Sequence, residues 1–225
     1  MAKQKKLGVS LSSDTAIKWL AITCAVLLCI HCVLTVLHYS IMELPWLLRE
    51  LFDVDEEESL PTWFSSSLLL ITAIVLTFIY FLARQAKDPN AMYWLGLALG
   101  FFFMSADEIA GFHETLNSVT VFSWAIPGLV VVAIVGIAYL RFLISLPSDI
   151  AIRFLIAACV FVGGAVGVEL ATEPYLYNDE LNTMAYNLWT PVEEGMEMGG
   201  VIFFLSTLFE YIKSRFRFDL QIYSH

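Results

Sequence analysis

Charged side chains are scarce in this sequence: 15% of its 225 residues are Asp, Glu, Lys or Arg, whereas 59% are hydrophobic. A soluble globular domain carries about 25% charged residues, so the composition excludes that class and indicates an integral membrane protein. The lipid bilayer is therefore the expected environment. The chain has 12 basic and 22 acidic residues, and the resulting net charge of -10 argues against nucleic acid as a partner.

Cysteine is also scarce, and its four copies lack the spacing of a disulfide framework. Cys24, Cys29, Cys32 and Cys159 all lie within apolar runs. Free cysteines in such positions pack as small hydrophobic residues, and we expect that here. Cys29 and Cys32 are three residues apart, so binding of a soft metal is the alternative.

Six apolar runs are long enough to cross a hydrocarbon layer of about 30 Å at about 1.5 Å per residue. We expect helices at about 17–41, 62–84, 91–116, 123–146, 151–173 and 186–212. No small-residue cleavage site follows a short apolar core near the first residues, so the first run should be retained. The expected fold is all-α, with residues 1–225 forming a single six-transmembrane-helix bundle.

Basic residues divide the two ends of this bundle. All Lys and Arg residues except Arg49 fall before or at the start of the first run, near the loops after the second and fourth runs, or after the sixth run. The positive-inside rule then predicts that both termini are cytoplasmic. In a bacterium, the protein would lie in the inner membrane with the opposite loops on the periplasmic or extracellular side.

The loop at 42–61 is the longest, and it is acidic. Apolar residues recur at helical spacing over 46–52, which predicts a short amphipathic helix on the outer membrane surface. Five acidic residues follow within 53–58, and we expect them to be solvated. Weak divalent-cation binding is the alternative, but the run lacks the spacing and the glycine of a calcium loop.

Acidic residues also occur inside apolar runs, at residues 105–114, at residues 190–199 and at Glu169. An ionised side chain in the bilayer core is costly, so such residues usually face the bundle interior, a cavity or a partner charge. The spacing of Gly163 and Gly167 predicts a close helix contact beside Glu169. We therefore expect one polar site in the outer half of the bundle, built from Asp107, Glu108, His113, Glu114, Glu169, Glu193, Glu194 and Glu197.

Other polar residues are expected at the same level. His31 and His38 lie on one stripe of the first helix. An interhelical hydrogen bond is the simplest role for His31, and a proton-relay or ligand role is the alternative. Ser66 either bonds to its own helix backbone or takes part in catalysis. Tyr186 shares a face of the last helix with the glutamates.

Carboxylates confined together cannot all stay ionised, because mutual repulsion and desolvation both disfavour the charged form. Shared protons, a basic partner or a metal would relieve this, and no Lys or Arg is expected at that depth. Carboxylates with imidazole suit Zn, Mn or Fe. We therefore predict a divalent metal held by Asp107, His113, Glu114, Glu169, Glu193 and Glu197, with Glu108, Glu194 and Ser66 as catalytic candidates and His31, His38 and Tyr186 supporting the ligands. A proton-sharing cluster and cation passage are the alternatives.

The two acidic motifs resemble those of an uncharacterised, widespread group of bacterial six-helix membrane proteins. The matching residues are Asp107, Glu108, His113 and Glu114 at the end of one helix, and Glu193, Glu194, Glu197, Met198 and Gly200 in the last helix. The stretch from Phe52 to Ser65 also fits, so the likeness covers most of the chain. It implies the topology and the site but names no reaction.

A fainter likeness connects the chain to the alkaline ceramidase and adiponectin-receptor superfamily, whose members hold a zinc ion with Ser, Asp and His inside a helical bundle. Ser65 or Ser66, Asp107 and His113 would be the matching positions. The chain departs from that pattern, because we expect six helices instead of seven and because glutamates replace the late His-x3-His. The likeness is an analogy of architecture.

These expectations favour an enzyme in which a metal ion activates water to hydrolyse a lipidic substrate entering from the outer leaflet. A neighbouring carboxylate would act as the general base. Proton- or cation-coupled transport is the first alternative. A non-catalytic accessory subunit, whose acidic residues only fix helix packing, is the second.

Overall fold

The computed structural model describes residues 12–112 and 123–216, and this part of the chain contains helices and no strands. The helices are α1 (Ser13–Ser40), α2 (Trp46–Phe52), α3 (Leu60–Gln85), α4 (Ala91–Ala110), α5 (Ala125–Ser145), α6 (Ser148–Tyr177) and α7 (Tyr186–Arg215). The all-α prediction is confirmed, and α2 forms where the amphipathic helix was predicted.

Five of these helices, α1, α3, α5, α6 and α7, are long and apolar enough to cross a membrane. The fold is therefore that of a multi-pass membrane protein. α4 is not among the five, because Asp107 and Glu108 in its last turns reduce its mean hydropathy. Five spans are thus supported in the described chain, and the prediction of six is not confirmed.

Polar contacts show that the helices run up and down. The Lys213 ammonium lies 3.0 Å from the Asp14 carboxylate, which joins the end of α7 to the start of α1. Asn90 Nδ2 donates to Ser145 Oγ at 3.1 Å, which joins the turn between α3 and α4 to the end of α5. We call this the terminal end of the bundle, and the opposite end, which carries α2, the distal end.

The terminal half of the bundle has an apolar core. Its central side chains are no more than 1% exposed, and they include Leu76, Ile79, Trp94, Leu205 and Leu208. The buried threonines Thr72 and Thr207 donate their hydroxyl hydrogens to carbonyls of their own helices. These bonds satisfy the threonines within their own helices. The indole nitrogen Nε1 of Trp94 is buried in the same core without a hydrogen-bond partner among the described residues.

α6 and α7 pack closely through glycine. A Cβ atom placed on Gly164 would lie 2.8 Å from the Glu193 carbonyl oxygen, which leaves no room for one. The segment Gly163–Val168 is π-helical, and a π turn changes the direction in which later residues point. A Cβ atom placed on Gly167 would meet no atom of the described residues within 4 Å outside its own helix, so the prediction that Gly167 shares the contact with α7 is wrong.

α5 is the most peripheral of the five candidate spans, since only 6% of its most apolar stretch is buried among the described residues. Near its terminal end, Tyr139 donates its hydroxyl hydrogen to the Tyr93 carbonyl at 3.1 Å. Phe142 is 2% exposed and packs edge-on against Trp94, with ring centroids 4.9 Å apart. α5 is thus attached to the bundle at a few points, with most of its surface outside.

Candidate functional site

His31 of α1 joins three parts of the distal end, and it is only 3% exposed. Its Nε2 lies 2.9 Å from the Asn187 carbonyl oxygen of α7, and its Nδ1 lies 3.3 Å from the Val54 amide nitrogen. Because the amide can only donate, Nδ1 accepts and Nε2–H donates to Asn187 in the neutral imidazole. The interhelical hydrogen bond predicted for His31 is therefore present. Asp53 Oδ1 is also 3.3 Å from Nδ1.

The acidic loop, which we define as residues 53–58, folds back onto the bundle. Tyr186 of α7 donates its hydroxyl hydrogen to Asp55 Oδ2 at 3.0 Å. The carboxylate of Glu57 occupies the space that a side chain on Gly111 would need. Gly111 ends α4 in a left-handed conformation, with φ +57°, which glycine adopts without a Cβ penalty. The prediction of a solvated loop holds for Asp55, Glu56 and Glu58, which are exposed. It is wrong for Asp53 and Glu57, which are half-buried because the loop is held over the ends of α4 and α7.

Carboxylates from α4, α6 and α7 come together beneath this loop. We call the acidic cluster the set Asp107, Glu108, Glu169, Glu193, Glu194 and Glu197, all of which are partly buried. Glu197 interacts electrostatically with Glu108, Glu193, Glu169 and Asp107. Glu194 interacts with Glu197, Glu108 and Glu193, and also with Asp55 of the acidic loop. The structure thus brings six of the predicted site residues together.

The close contact between α6 and α7 helps to form this cluster. A Cβ atom on Gly164 would lie 3.1 Å from Glu197 Cγ, so the missing side chain leaves the space that Glu197 fills. One turn later on α6, Glu169 accepts a hydrogen bond of 3.1 Å from Ser123 Oγ. The small residue on one helix therefore sets how near the acidic residues of both helices can approach.

A metal site is not complete within residues 12–112 and 123–216, where no group of three or more His, Cys, Asp and Glu residues is arranged to hold a metal ion. Two predicted ligands, His113 and Glu114, lie outside the described residues. One carboxylate oxygen in the described part, Glu57 Oε1, is buried without a hydrogen-bond partner. Buried polar atoms are normally satisfied, so this oxygen is one that a proton or a cation would stabilise.

Ser66, a predicted catalytic residue, forms a reciprocal pair with Ser105 of α4. Ser66 Oγ donates to the Ser105 carbonyl at 2.8 Å, and Ser105 Oγ donates to the Ser66 carbonyl at 2.9 Å. Both serines are buried. Their hydroxyl hydrogens are therefore directed at the backbone, which favours a role in joining α3 to α4 over a role as a nucleophile.

The other supporting residues separate into two groups. Tyr186 lies beside the cluster, because it interacts electrostatically with Glu169 and Glu193 as well as with Asp55. His38 instead packs in the link between α1 and α2. Its Nδ1 accepts from the Leu44 amide at 3.2 Å.

Sequence reasoning missed Asp53, Asp55 and Glu57 as neighbours of the site. The available signal was Gly111, the residue that interrupts the acidic end of α4. A glycine there allows another segment to approach the backbone closely. The pattern does not identify which segment approaches.

Apolar helices that enclose an acidic cluster at one end define a multi-pass membrane protein with a buried polar site. A family model described as "Domain of unknown function (DUF8692)" matches residues 19–211, and the chain belongs to this family. No curated protein and no solved structure matches the chain.

Proposed function

We propose that the protein binds a divalent metal ion at the acidic cluster and uses it to hydrolyse a lipidic substrate from the outer leaflet. The observation that carries the proposal is the meeting of six carboxylates from three helices. Arg49 is the one Lys or Arg residue at the distal end within the described ranges. A metal ion would offset this excess of negative charge.

The proposed ligands are Asp107, Glu169, Glu193 and Glu197, together with His113 and Glu114 from the sequence motif. No three of the described carboxylates are arranged to hold a metal ion, so the proposal requires these side chains to move closer together when the metal binds. Oxygen ligands with one imidazole suit Zn, Mn or Fe. A metal of this kind supplies an activated water molecule at neutral pH. Glu108 or Glu194 would take the proton from that water as the general base. Ser66 has no step in this proposal, since its hydroxyl bonds to α4.

The proposal includes a topology. α4 would be the sixth span, and its acidic last turns would be tolerated because they face the cluster and not the lipid. Both termini would be cytoplasmic in a bacterial inner membrane, with the acidic cluster toward the periplasm. The charge distribution supports this orientation, since Arg84, Arg141 and Arg153 lie toward the terminal end.

Elemental analysis of the purified protein tests the metal. The matched variants are Glu197→Gln in the cluster and Glu210→Gln at the terminal end of the same helix, where Glu210 pairs with Arg153 at 2.6 Å. We expect a stoichiometric transition metal in the wild type and in Glu210→Gln, and its loss in Glu197→Gln. A wild type without metal, or a Glu197→Gln variant that keeps it, contradicts the proposal.

Hydrolysis is tested separately with lipid extracts and mass spectrometry of the products. We expect metal-loaded protein to release a fatty acid or a headgroup, and Glu194→Gln to keep the metal but lose this activity. Loss of activity in Glu210→Gln as well would show that the substitution acts through stability and not through the site.

Transport has less support, because it needs a polar path through the terminal half. In the described chain this region is filled by apolar side chains such as Leu76, Ile79 and Leu205. Proton or cation flux in proteoliposomes would nevertheless establish transport. An accessory role predicts instead that Glu197→Gln changes the stability of the protein without changing metal content or activity.

A further inference from the structure

Arg49 of α2 is the one Lys or Arg residue at the distal end of the described chain, and it has no carboxylate partner there. No Asp or Glu oxygen among the described residues lies within 4.0 Å of its guanidinium nitrogens. Its neighbours are the Tyr39 ring, whose centroid is 5.8 Å from the guanidinium carbon, and His38, whose Nε2 is 3.2 Å from Arg49 Nη1. Within the described residues, this partly buried cation in an acidic region thus has no anionic partner.

The His38 ring is surrounded by more hydrogen-bond donors than it can accept from. The Leu44 amide donates to His38 Nδ1 at 3.2 Å, so the neutral imidazole carries its proton on Nε2. The Arg49 guanidinium has donors and no acceptor. In the tautomer that accepts from Leu44, two N–H groups thus face each other at 3.2 Å, and in the other tautomer the Leu44 amide faces an N–H group instead. An anionic oxygen placed beside both groups would accept from each and remove their repulsion.

The level of this pair in the membrane indicates the source of the anion. α2 begins six residues after α1 ends, and its side chains Trp46, Leu47 and Leu51 are 70%, 65% and 40% exposed. A short helix that exposes tryptophan and leucine beside a basic residue is typical of the lipid headgroup region. A free anion in solution would not contact these apolar side chains, whereas a phospholipid would contact them with its acyl chains and Arg49 with its phosphate.

We propose that Arg49 and His38 bind the phosphate of an outer-leaflet phospholipid, whose acyl chains lie along the exposed apolar side chains of α2. Guanidinium groups bind phosphate oxygens in a forked, charge-assisted arrangement. Bound in this way, the lipid fixes α2 at the membrane surface. The site is separate from the acidic cluster, and it does not depend on the proposed metal.

The experiment titrates short-chain phosphatidylglycerol into the full-length protein in detergent and counts bound lipid by native mass spectrometry. Arg49→Gln removes the cation, and Arg84→Gln is the matched control on α3, in its last turn at the terminal end. Loss of a charge-assisted hydrogen bond should weaken lipid binding by about ten- to a hundredfold in Arg49→Gln. Binding to Arg84→Gln should equal that of the wild type.

Two further probes separate the sources of the anion. Short-chain diacylglycerol, which lacks the phosphate, should not be retained, and inorganic phosphate should displace the lipid only at far higher concentration. Equal binding by Arg49→Gln and the wild type overturns the proposal, and so does equal retention of diacylglycerol. Displacement by inorganic phosphate at matched concentration would identify a free-anion site and also overturn it.

A third variant distinguishes loss of lipid binding from loss of folding. Arg49→Lys keeps the charge but loses the fork, and its affinity should fall between those of Arg49→Gln and the wild type. Metal content should be unchanged in both variants, because Arg49 is not part of the acidic cluster. An Arg49→Lys variant as weak as Arg49→Gln, with unchanged helix content, would contradict recognition by charge.

Discussion

The substitution Gly164→Ala should destabilise the bundle, whereas Gly167→Ala should not. A Cβ on Gly164 would lie 2.8 Å from the Glu193 carbonyl oxygen, about 0.6 Å inside the 3.4 Å at which ordinary contact begins. That oxygen belongs to the backbone of α7, so the clash cannot be relieved by a side-chain rotation. A Cβ on Gly167 would meet no atom within 4 Å in the part of the chain that the structure describes, apart from its own helix.

The magnitude follows from two effects. Replacing glycine by alanine in a helix stabilises it by about 0.5–1 kcal/mol, and forcing a methyl group into a packed interface costs about 1–3 kcal/mol. We therefore expect Gly164→Ala to lose up to about 2.5 kcal/mol and Gly167→Ala to gain up to about 1 kcal/mol. The difference between the variants isolates the packing cost, because both receive the same backbone benefit.

The assay is reversible unfolding in mixed micelles with increasing dodecyl sulfate, followed by circular dichroism. Gly164→Ala should also displace Glu197, whose Cγ would be 3.1 Å from the new methyl group, and should therefore reduce metal content. Equal unfolding midpoints for the two variants would refute the argument that α6 and α7 meet at Gly164.

Two further predictions concern hydrogen bonds. His31→Leu removes the hydrogen-bond partners of the Val54 amide and the Asn187 carbonyl. We therefore expect the free energy of unfolding to fall by about 1–3 kcal/mol per unpaired group, and hydrogen exchange at the Val54 amide to become faster. Unchanged exchange at Val54 would argue against the contact. In a double-mutant cycle on the Ser66–Ser105 pair, the two alanine substitutions should show a coupling of about 0.5–1.5 kcal/mol in unfolding free energy. Additive effects would show that the pair is not formed.

Hydropathy predicted where most helices lie, because a chain in lipid must satisfy its backbone polar groups within each segment. The helix expected at 91–116 instead ends at Ala110, where Gly111 adopts a left-handed conformation. The last helix, expected at 186–212, runs over Tyr186–Arg215, and the second, expected at 62–84, runs over Leu60–Gln85. These bounds depend on local composition, which the sequence contains directly. α4 is the borderline case, since the acidic residues that mark the site also make it less apolar.

Side-chain direction was harder to predict, because the prediction assumed a regular helix. The spacing of Gly163 and Gly167 places them on one face at 3.6 residues per turn. The π-helical turn over Gly163–Val168 breaks that spacing, so Gly164 packs on α7 while Gly167 does not. No hydropathy pattern distinguishes such a turn from an α-helical one.

The partners of polar residues were the least predictable part of the site. The convergence of Glu108, Glu194 and Glu197 followed from a general rule, since acidic residues in apolar helices usually face the bundle interior and contact other polar groups. The return of the acidic loop onto Gly111 is a contact between distant parts of the sequence. The prediction of a solvated loop considered composition alone, and composition does not report a binding surface elsewhere in the chain.

The peripheral position of α5 bears on how its sequence can change. Its few attachments include the hydroxyl bond of Tyr139 and the buried ring of Phe142. Elsewhere along the helix, Leu, Ile, Val and Phe should be interchangeable, because fluid acyl chains adapt to any apolar shape. Selection on α5 should therefore preserve hydrophobicity over most of its length and exact residue identity at only a few positions.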